Sequence, residues 1–261
     1  MTDAVLLAVD DIGRATVTLN RPDVHNAFDD VLIAHLTETF EGLGKRADVR
    51  VVVLAANGKS FSAGADLGWM RRMANYSEAE NRADAEQLAR LIHALDSMPK
   101  PTVARVQGAA IGGGVGLVAA CDVAIASEVA SFALSEVRLG LIPAVISPYV
   151  IGAIGPRQAR RYMLTAERFD AVEAKRIGLV HDTVPAANLD AAVDAVVTSL
   201  LLGGPEAVRE SKALARDVGG SPDDETRADT ARRIARLRAS PEGKEGVSSF
   251  LEKRKPRWQA P

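Results

Sequence analysis

The alternation of short apolar runs with longer amphipathic segments constrains the fold of this chain most strongly. Four runs rich in β-branched residues are bounded by Gly, Pro, Asn or charged residues, which is typical of buried strands: residues 16–19, 49–55, 102–106 and 123–126. Between them, residues 29–45 and 77–98 repeat apolar side chains every three or four positions and predict helices. This order predicts an α/β fold with right-handed crossovers and active-site loops at one sheet edge.

The pattern changes after residue 185. Two helical patterns follow, at residues 189–202 and 225–238, with no strand between them and a break at Gly219-Gly220-Ser221-Pro222. We therefore predict a core over residues 1–185 and a helical C-terminal region over residues 186–261.

Composition narrows the classes of partner. The chain has 261 residues, of which 47% are hydrophobic, so it can bury a sizeable core. Its 32 basic and 34 acidic residues nearly cancel, and aromatic residues make up only 4%. No general electrostatic field would attract nucleic acid, and few rings could stack on bases. Nucleic acid is therefore not an expected partner.

The compartment is inferred from cysteine usage and from apolar segments. Cys121 stands alone, so no intrachain disulfide is possible, and Met1 to Ala4 lacks the pattern of a secretion signal. The longest apolar stretch, residues 109–126, is broken by four glycines and Asp122 and is a poor membrane span. We expect a cytoplasmic protein with no membrane partner.

Two glycine-containing stretches are candidates for binding an oxyanion. Residues 61–67 (Phe-Ser-Ala-Gly-Ala-Asp-Leu) follow one predicted strand, and Gly112-Gly113-Gly114 precedes an apolar helical pattern. Backbone N–H groups at a helix start are unpaired, so each loop could supply one donor to an oxyanion. The alternative is a pair of tight strand-to-helix turns. A phosphate loop is disfavoured because no Lys-Ser/Thr follows, and neither stretch fits the dinucleotide fingerprint.

Glu136 is the candidate acid/base group, because it lies among mostly apolar residues in the stretch 131–143. Burial would raise the pKa of such a carboxyl toward the range useful for proton transfer. The alternative is a salt bridge, for example to Arg138. The four histidines and Cys121 show no metal-ligand spacing, and no Gly-x-Ser-x-Gly motif supports serine hydrolase chemistry.

Taken in order, these motifs resemble the enoyl-CoA hydratase/isomerase (crotonase) superfamily across nearly the whole chain. The match begins at Asn20-Arg21-Pro22 and Asn26-Ala27 and continues through residues 61–67 and 107–122. The resemblance implies a ClpP/crotonase-like spiral of ββα units. It also implies that the backbone N–H groups of Ala65 and Gly113 hold the thioester carbonyl of an acyl-CoA.

The resemblance departs from the family pattern at one catalytic position. Family hydratases typically use two glutamates; Glu136 matches the second, whereas the first falls at Gly116. An enoyl-CoA hydratase remains the first reading. A Δ3-Δ2-enoyl-CoA isomerase that uses Glu136 alone is one alternative, and a catalytically silent acyl-CoA-binding or RNA-associated scaffold is another.

The match becomes closer over residues 137–150 and 160–169, which resemble bacterial methylglutaconyl-CoA hydratases of branched-chain (leucine) breakdown. That subgroup also tends to carry Gly-Leu where this chain has Gly116-Leu117. A carboxylated acyl group would need a nearby cation, for which Arg138 is the candidate; pairing with Glu136 or a surface position is the alternative.

The resemblance also implies the binding residues and the assembly. The implied substrate- and CoA-binding residues are Ala63, Ala65, Asp66, Leu67, Gly113, Phe250 and Lys253. Coenzyme A is part of the substrate, so no separate cofactor or metal is expected. Residues 186–261 would pack the chain into homotrimers or hexamers. Trp69, Met70 and Met73 could line the acyl pocket, although core packing is the simpler role.

Overall fold

The polypeptide forms two β-sheets surrounded by helices, and the computed structural model describes residues 3–219 and 223–259. The strands are β1 (Val5–Val9), β2 (Arg14–Leu19), β3 (Val51–Ala56), β4 (Ser60–Ser62), β5 (Thr102–Val106), β6 (Ala109–Ile111), β7 (Val123–Ser127), β8 (Ser131–Ala133), β9 (Phe169–Asp170) and β10 (Asp182–Val184). The helices are α1 (Asp30–Lys45), α2 (Leu67–Met73), α3 (Glu78–Asp96), α4 (Gly113–Ala120), α5 (Ser147–Thr165), α6 (Ala171–Ile177), α7 (Leu189–Leu202), α8 (Pro205–Asp217), α9 (Asp224–Ala239) and α10 (Pro241–Leu251).

The two sheets are built from repeated ββα units. The larger sheet has the order β1-β2-β3-β5-β7-β10, and all its neighbours are parallel except β1 and β2. The smaller sheet has the order β4-β6-β8-β9, with β4, β6 and β8 parallel. Each unit places its first strand in the larger sheet and its second in the smaller sheet. This spiral is the fold that the resemblance implied.

Strand β3 lies at the centre of the core because both of its faces are covered. Val52 and Leu54 join the main core with α1 and α3. Val51 and Val53 face the other way and pack against Leu189, Val193 and Val197 of α7. The alternation follows from the two-residue period of a strand, and it explains why β3 is a continuous apolar run in the sequence.

The helical region after residue 185 is attached to the core at several points. Helix α7, which the sequence assigned to this region, packs directly on β3, β5 and β7. Lys212 of α8 forms an ion pair with Asp122 at 2.8 Å, and its side chain is only 13% exposed. The same Asp122 Oδ2 accepts hydrogen bonds from the backbone N–H and the hydroxyl of Thr102. These contacts connect α8 to the ends of α4 and β5.

The long elements follow the sequence predictions closely, whereas several short ones were missed. The strands at 16–19, 49–55, 102–106 and 123–126 correspond to β2, β3, β5 and β7, and the predicted helices to α1, α3, α4, α7 and α9. Helices α8 and α10 were not predicted. Of the predicted break at 219–222, residues 220–222 lie outside the described ranges, as do Met1 and Thr2.

The hydropathy of the helices was also compared with that of membrane spans. Within residues 3–219 and 223–259, no single helix is long and apolar enough to cross a membrane. One bent pair, Ala186–Leu202 with Pro205–Asp217, meets the length and composition criteria when its two helices are counted together.

Candidate active site

Three loops leave the smaller sheet side by side. Strands β4, β6 and β8 are parallel neighbours, so their carboxyl ends lie at one edge. Ala65 follows β4, Gly113 follows β6 and Glu136 follows β8, each within three residues of the strand end. The sequence placed the first two loops directly after β3 and β5, which was wrong because the short strands β4 and β6 intervene. The correction explains how the loops become adjacent.

The first two loops are packed tightly against each other through glycine. A Cβ atom placed on Gly64 would lie 3.1 Å from the carbonyl oxygen of Ile111, and Gly64 has a positive φ of 86°. A Cβ atom on Gly114 would lie 2.9 Å from the carbonyl oxygen of Ser62. Side chains at these positions would push the loops apart, so glycine is required for the close approach.

The backbone N–H of Ala65 is free to bind a ligand. Its neighbours are committed: Gly64 accepts a bond from the N–H of Phe28 at 2.7 Å, and Asp66 donates to the carbonyl of Phe28 at 2.7 Å. These two bonds form a parallel bridge between Phe28 and Ala65. Among the described residues, the Ala65 N–H itself has no acceptor. Ala65 is exposed, so this donor is accessible from outside.

The backbone N–H of Gly113 is the matching donor on the second loop. Gly113 is the first residue of α4, where an N–H has no partner within the helix. Within the described ranges it donates to no other acceptor, whereas Gly112 donates to Ala133 at 2.9 Å. The α4 dipole adds partial positive charge at this end. The Phe28 ring lies against Gly113, where a Cβ atom would come within 2.8 Å of Cε2.

Two residues that the sequence did not assign to the site hold the first loop in place. Phe28 contacts both donor positions, with its backbone at Ala65 and its ring at Gly113. Asn26 is fully buried and donates from Nδ2 to the carbonyls of Asn57 and Ser60 at 2.8 and 2.9 Å. The Asn26-Ala27 motif marked this segment in the sequence, but nothing local indicated that Phe28 joins the two loops.

Glu136 begins a short 3-10 turn, Glu136–Leu139, and its carboxylate lies over Gly112. A Cβ atom on Gly112 would be 2.9 Å from Glu136 Oε1, and Gly112 has a φ of 53°. The other oxygen, Oε2, is buried without a hydrogen-bond partner among the described residues. Desolvation by burial raises the pKa of the Glu136 carboxyl above its usual value, although a hydrogen bond from its own backbone opposes this effect.

The alternative of a salt bridge at Glu136 is not what the structure contains. Within the described residues Glu136 forms no ion pair, and its sequence neighbour Arg138 is exposed and also unpaired. A carboxylate that is partly buried, unpaired and adjacent to a free N–H is suited to accept and donate protons.

Gly116, where the family pattern would place a second glutamate, is occupied from the side by Ile146. A Cβ atom at Gly116 would clash with Ile146 Cγ2 and would lie 2.8 Å from Ile146 Cβ. Ile92 Cδ1 closes the same space at 3.7 Å. Ile146 and Ile92 are buried, with 3% and 0% exposure. The position of the missing carboxylate is therefore filled by hydrocarbon.

The remaining predicted binding residues fall into two groups. Ala63 and Leu67 are exposed beside Ala65, whereas the Asp66 carboxylate caps α2 by accepting from Gly68 and Trp69. Phe250 and Lys253 lie at the end of α10, whose main contacts are with α8 and α9. The structure therefore does not bring these two residues to Glu136 within one chain. Phe250 is 82% exposed, and its role in CoA binding stays a prediction.

The residues after α2 begin were predicted either to line the acyl pocket or to pack in the core. Trp69 is 5% exposed in the main core, and its Nε1 donates to Asp84 at 3.2 Å. Met73 is partly buried against the same core. Trp69 therefore has the packing role. The described residues contain no group of three His, Cys, Asp or Glu side chains that could hold a metal ion.

Two free backbone donors, a desolvated carboxylate beside them and a spiral of ββα units together define a crotonase-type enzyme. Comparison with known proteins agrees. The family model described as Enoyl-CoA hydratase/isomerase matches residues 12–261. A crotonyl-CoA hydratase from Syntrophomonas wolfei is 33% identical over 243 residues, covering 92% of both chains.

Solved structures are similar along the whole chain. An enoyl-CoA hydratase from Shewanella pealeana has a TM-score of 0.95 and 48% identity, covering 98% of this chain and 96% of its own. An enoyl-CoA hydratase from Mycobacterium smegmatis has a TM-score of 0.93 and 35% identity, covering 99% and 100%. The chain belongs to the enoyl-CoA hydratase/isomerase family and is an enzyme of the crotonase superfamily.

Proposed function

We propose that this enzyme is an enoyl-CoA hydratase that adds water across the 2,3-double bond with Glu136 as its single acid/base group. The observation that carries the proposal is the Glu136 carboxylate, unpaired and desolvated over Gly112, next to the free N–H of Gly113. The relatives named as hydratases support the same reaction. Coenzyme A arrives as part of the substrate.

In the proposed mechanism the N–H groups of Ala65 and Gly113 bind the thioester oxygen. Glu136 accepts a proton from water while the water oxygen bonds to Cβ, and the π electrons move onto the thioester oxygen as an enolate. Glu136 then returns the proton to Cα as the carbonyl re-forms. H and OH are added to one face, and the carboxylate is regenerated. One carboxylate is sufficient because the two proton transfers are sequential.

The experiment is mass-resolved turnover of crotonyl-CoA, 3-methylglutaconyl-CoA and a 3-enoyl-CoA by the wild type and by Glu136→Gln. We expect a gain of one water that falls by about 10²- to 10⁴-fold in Glu136→Gln. Glu128→Gln is the matched control, because Glu128 is an exposed carboxylate just before β8. A gain of water that is unchanged in Glu136→Gln would contradict the proposal.

An isomerase is the second candidate, since the filled position at Gly116 leaves one carboxylate, which is enough to move a proton between Cα and Cγ. Double-bond migration in the 3-enoyl-CoA without a gain of mass would support it against hydration. Binding of all three esters without turnover would instead support a silent acyl-CoA-binding scaffold.

The finer proposal concerns the acyl group. Residues 137–150 resemble methylglutaconyl-CoA hydratases, and Arg138 is an exposed, unpaired cation two residues from Glu136. We expect Arg138→Gln to lower kcat/KM for 3-methylglutaconyl-CoA by about five- to tenfold, the effect of one exposed ion pair, and to leave crotonyl-CoA unchanged. Equal effects on both esters would refute recognition of a carboxylate by Arg138.

We also propose, from the family resemblance and the composition, a cytoplasmic homotrimer or hexamer in which residues 186–261 take part in assembly. Phe250 and Lys253 would then meet the CoA bound to a neighbouring subunit. Light scattering of the wild type, combined with the KM of a Lys253→Ala variant, tests both parts. A monomer with an unchanged KM would contradict them.

A further inference from the structure

The loop between Glu136 and α5 contacts α4 at two glycines. Glu136 Oε1 lies over Gly112, and Ile146 Cγ2 lies over Gly116. These glycines are four residues apart, so they lie on one face of the helix about 6 Å from each other along its axis. The two ends of one loop are therefore seated in two glycine hollows on the same side of α4.

The loop is connected internally between these two ends. The N–H of Leu141 donates to the carbonyl of Glu136 at 3.1 Å, and Ala144 donates to Ile142 at 2.8 Å. Ser147 then donates to Ala144 at 3.2 Å, next to Ile146. A displacement of the Ile146 end would therefore be passed along a hydrogen-bonded loop to Glu136.

Ile146 is the large aliphatic side chain that fixes this loop to the body of the protein. Leu139, Leu141 and Ile142 of the same loop are 59%, 53% and 73% exposed, whereas Ile146 is 3% exposed. Ile146 also begins α5, where its carbonyl accepts from Val150 at 3.1 Å. The fit at Gly116 depends on the Cγ2 methyl, because this branch at Cβ is what enters the hollow.

We infer that Ile146 is a positioning residue, whose Cγ2 methyl seated on Gly116 fixes the carboxylate of Glu136 over Gly112. The inference rests on the proposed function only in naming the reaction that Glu136 performs. The same contact excludes a second carboxylate from position 116, so one side chain both removes one acid/base group and places the other.

Two substitutions separate the Cγ2 methyl from general bulk. Ile146→Leu keeps every carbon but moves the branch from Cβ to Cγ, so the hollow loses its methyl. Ile146→Val loses only Cδ1 and keeps Cγ2. We expect Ile146→Leu to lower kcat by at least about tenfold, since displacement of a reacting group by 1 Å can cost 10²-fold. Ile146→Val should stay within about threefold, with KM nearly unchanged in both.

A methyl supplied from α4 should compensate. Gly116→Ala alone places a methyl where Ile146 Cγ2 already lies, and should lower kcat and the melting temperature. Gly116→Ala combined with Ile146→Leu restores the total volume, and we expect it to recover most of the kcat lost in either single variant. Additive losses in the double variant would overturn the inference.

The decisive measurement repeats Ile146→Leu in the Glu136→Gln background. If Ile146 acts through Glu136, its effect on kcat disappears there, because nothing remains to be positioned. A purely structural role would lower the residual rate by the same factor in both backgrounds and would overturn the inference. Absence of hydration in the wild type would refute the proposed function alone, because the melting temperatures of the Gly116 and Ile146 cycle still test the seating of Cγ2.

Discussion

Replacing Gly113 by alanine tests the proposed donor at the start of α4. The added Cβ would lie 2.8 and 3.0 Å from Cε2 and Cδ2 of Phe28. Carbon atoms in contact are about 3.5–4.0 Å apart, so the groups must separate by about 0.7 Å or more. Phe28 cannot move easily, because it is 1% exposed and hydrogen-bonded to both neighbours of Ala65.

The displacement is enough to lose one hydrogen bond to the thioester oxygen. An N–H···O distance of about 2.9 Å would become about 3.6 Å, outside hydrogen-bonding range. Loss of one oxyanion donor costs about 10²- to 10³-fold in kcat. We therefore expect Gly113→Ala to lower kcat by that factor, with the far-UV circular dichroism of the wild type.

The assay is saturating turnover of the best substrate of the wild type, with Gly152→Ala as the control. Gly152 lies in α5 with nothing within 4 Å of an added Cβ, so alanine should leave kcat unchanged. Gly113→Ala combined with Phe28→Leu should recover part of the loss, because the ring is removed. A folded Gly113→Ala variant with kcat within about threefold of the wild type would refute the reasoning.

Three further predictions follow from the described contacts. Because burial raises the pKa of Glu136, kcat should fall on an acid limb centred above about 4.3; a limb at or below that value would contradict it. A raised carboxyl pKa means that protonation favours the folded state, so this stabilisation is present below about pH 4.3 and is lost as pH rises through the folded pKa. Glu136→Gln should therefore melt above the wild type at pH 8 and level with it at pH 4, and a lower melting temperature at pH 8 would be inconsistent. Asp122→Ala leaves Lys212 and Thr102 without their shared acceptor, and urea unfolding should show a loss of about 2–4 kcal/mol; a loss under about 1 kcal/mol would show that the contacts are dispensable. Burial raises the pKa of Cys121 to about 12, so a thiol reagent at pH 8 should label it only after unfolding, and rapid labelling of the native protein would refute this.

Periodicity found the long elements but not the strands that arrange the site. Strands β2, β3, β5 and β7 have five or six residues each, which is long enough for a composition signal. Strands β4, β6 and β8 have three residues each, too few to show a period. The adjacency of the three loops depends on these short strands, so the sequence could name the loops but could not explain why they meet.

The backbone donors were predicted from motifs, whereas their supports were not. Ala65 and Gly113 lie in stretches whose small residues are visible in the sequence. Phe28 and Ile146 act through contacts with residues far away along the chain, Phe28 at Gly113 and Ile146 at Gly116. No local pattern encodes such a pair, because each partner is an ordinary apolar residue or glycine when considered alone.

The two donor groups on the first two loops belong to the main chain, and only the third loop contributes a reactive side chain. A main-chain N–H carries no proton that titrates in the working range of an enzyme and is retained under almost any substitution that fits sterically. The first two loops therefore commit this scaffold to electron-rich thioester oxygens as a general class of intermediate. What happens to that intermediate is decided by whatever stands at position 136 and beside it. New reactions could arise on this scaffold by altering a few side chains around one turn, while the electrophilic half of the site is inherited intact.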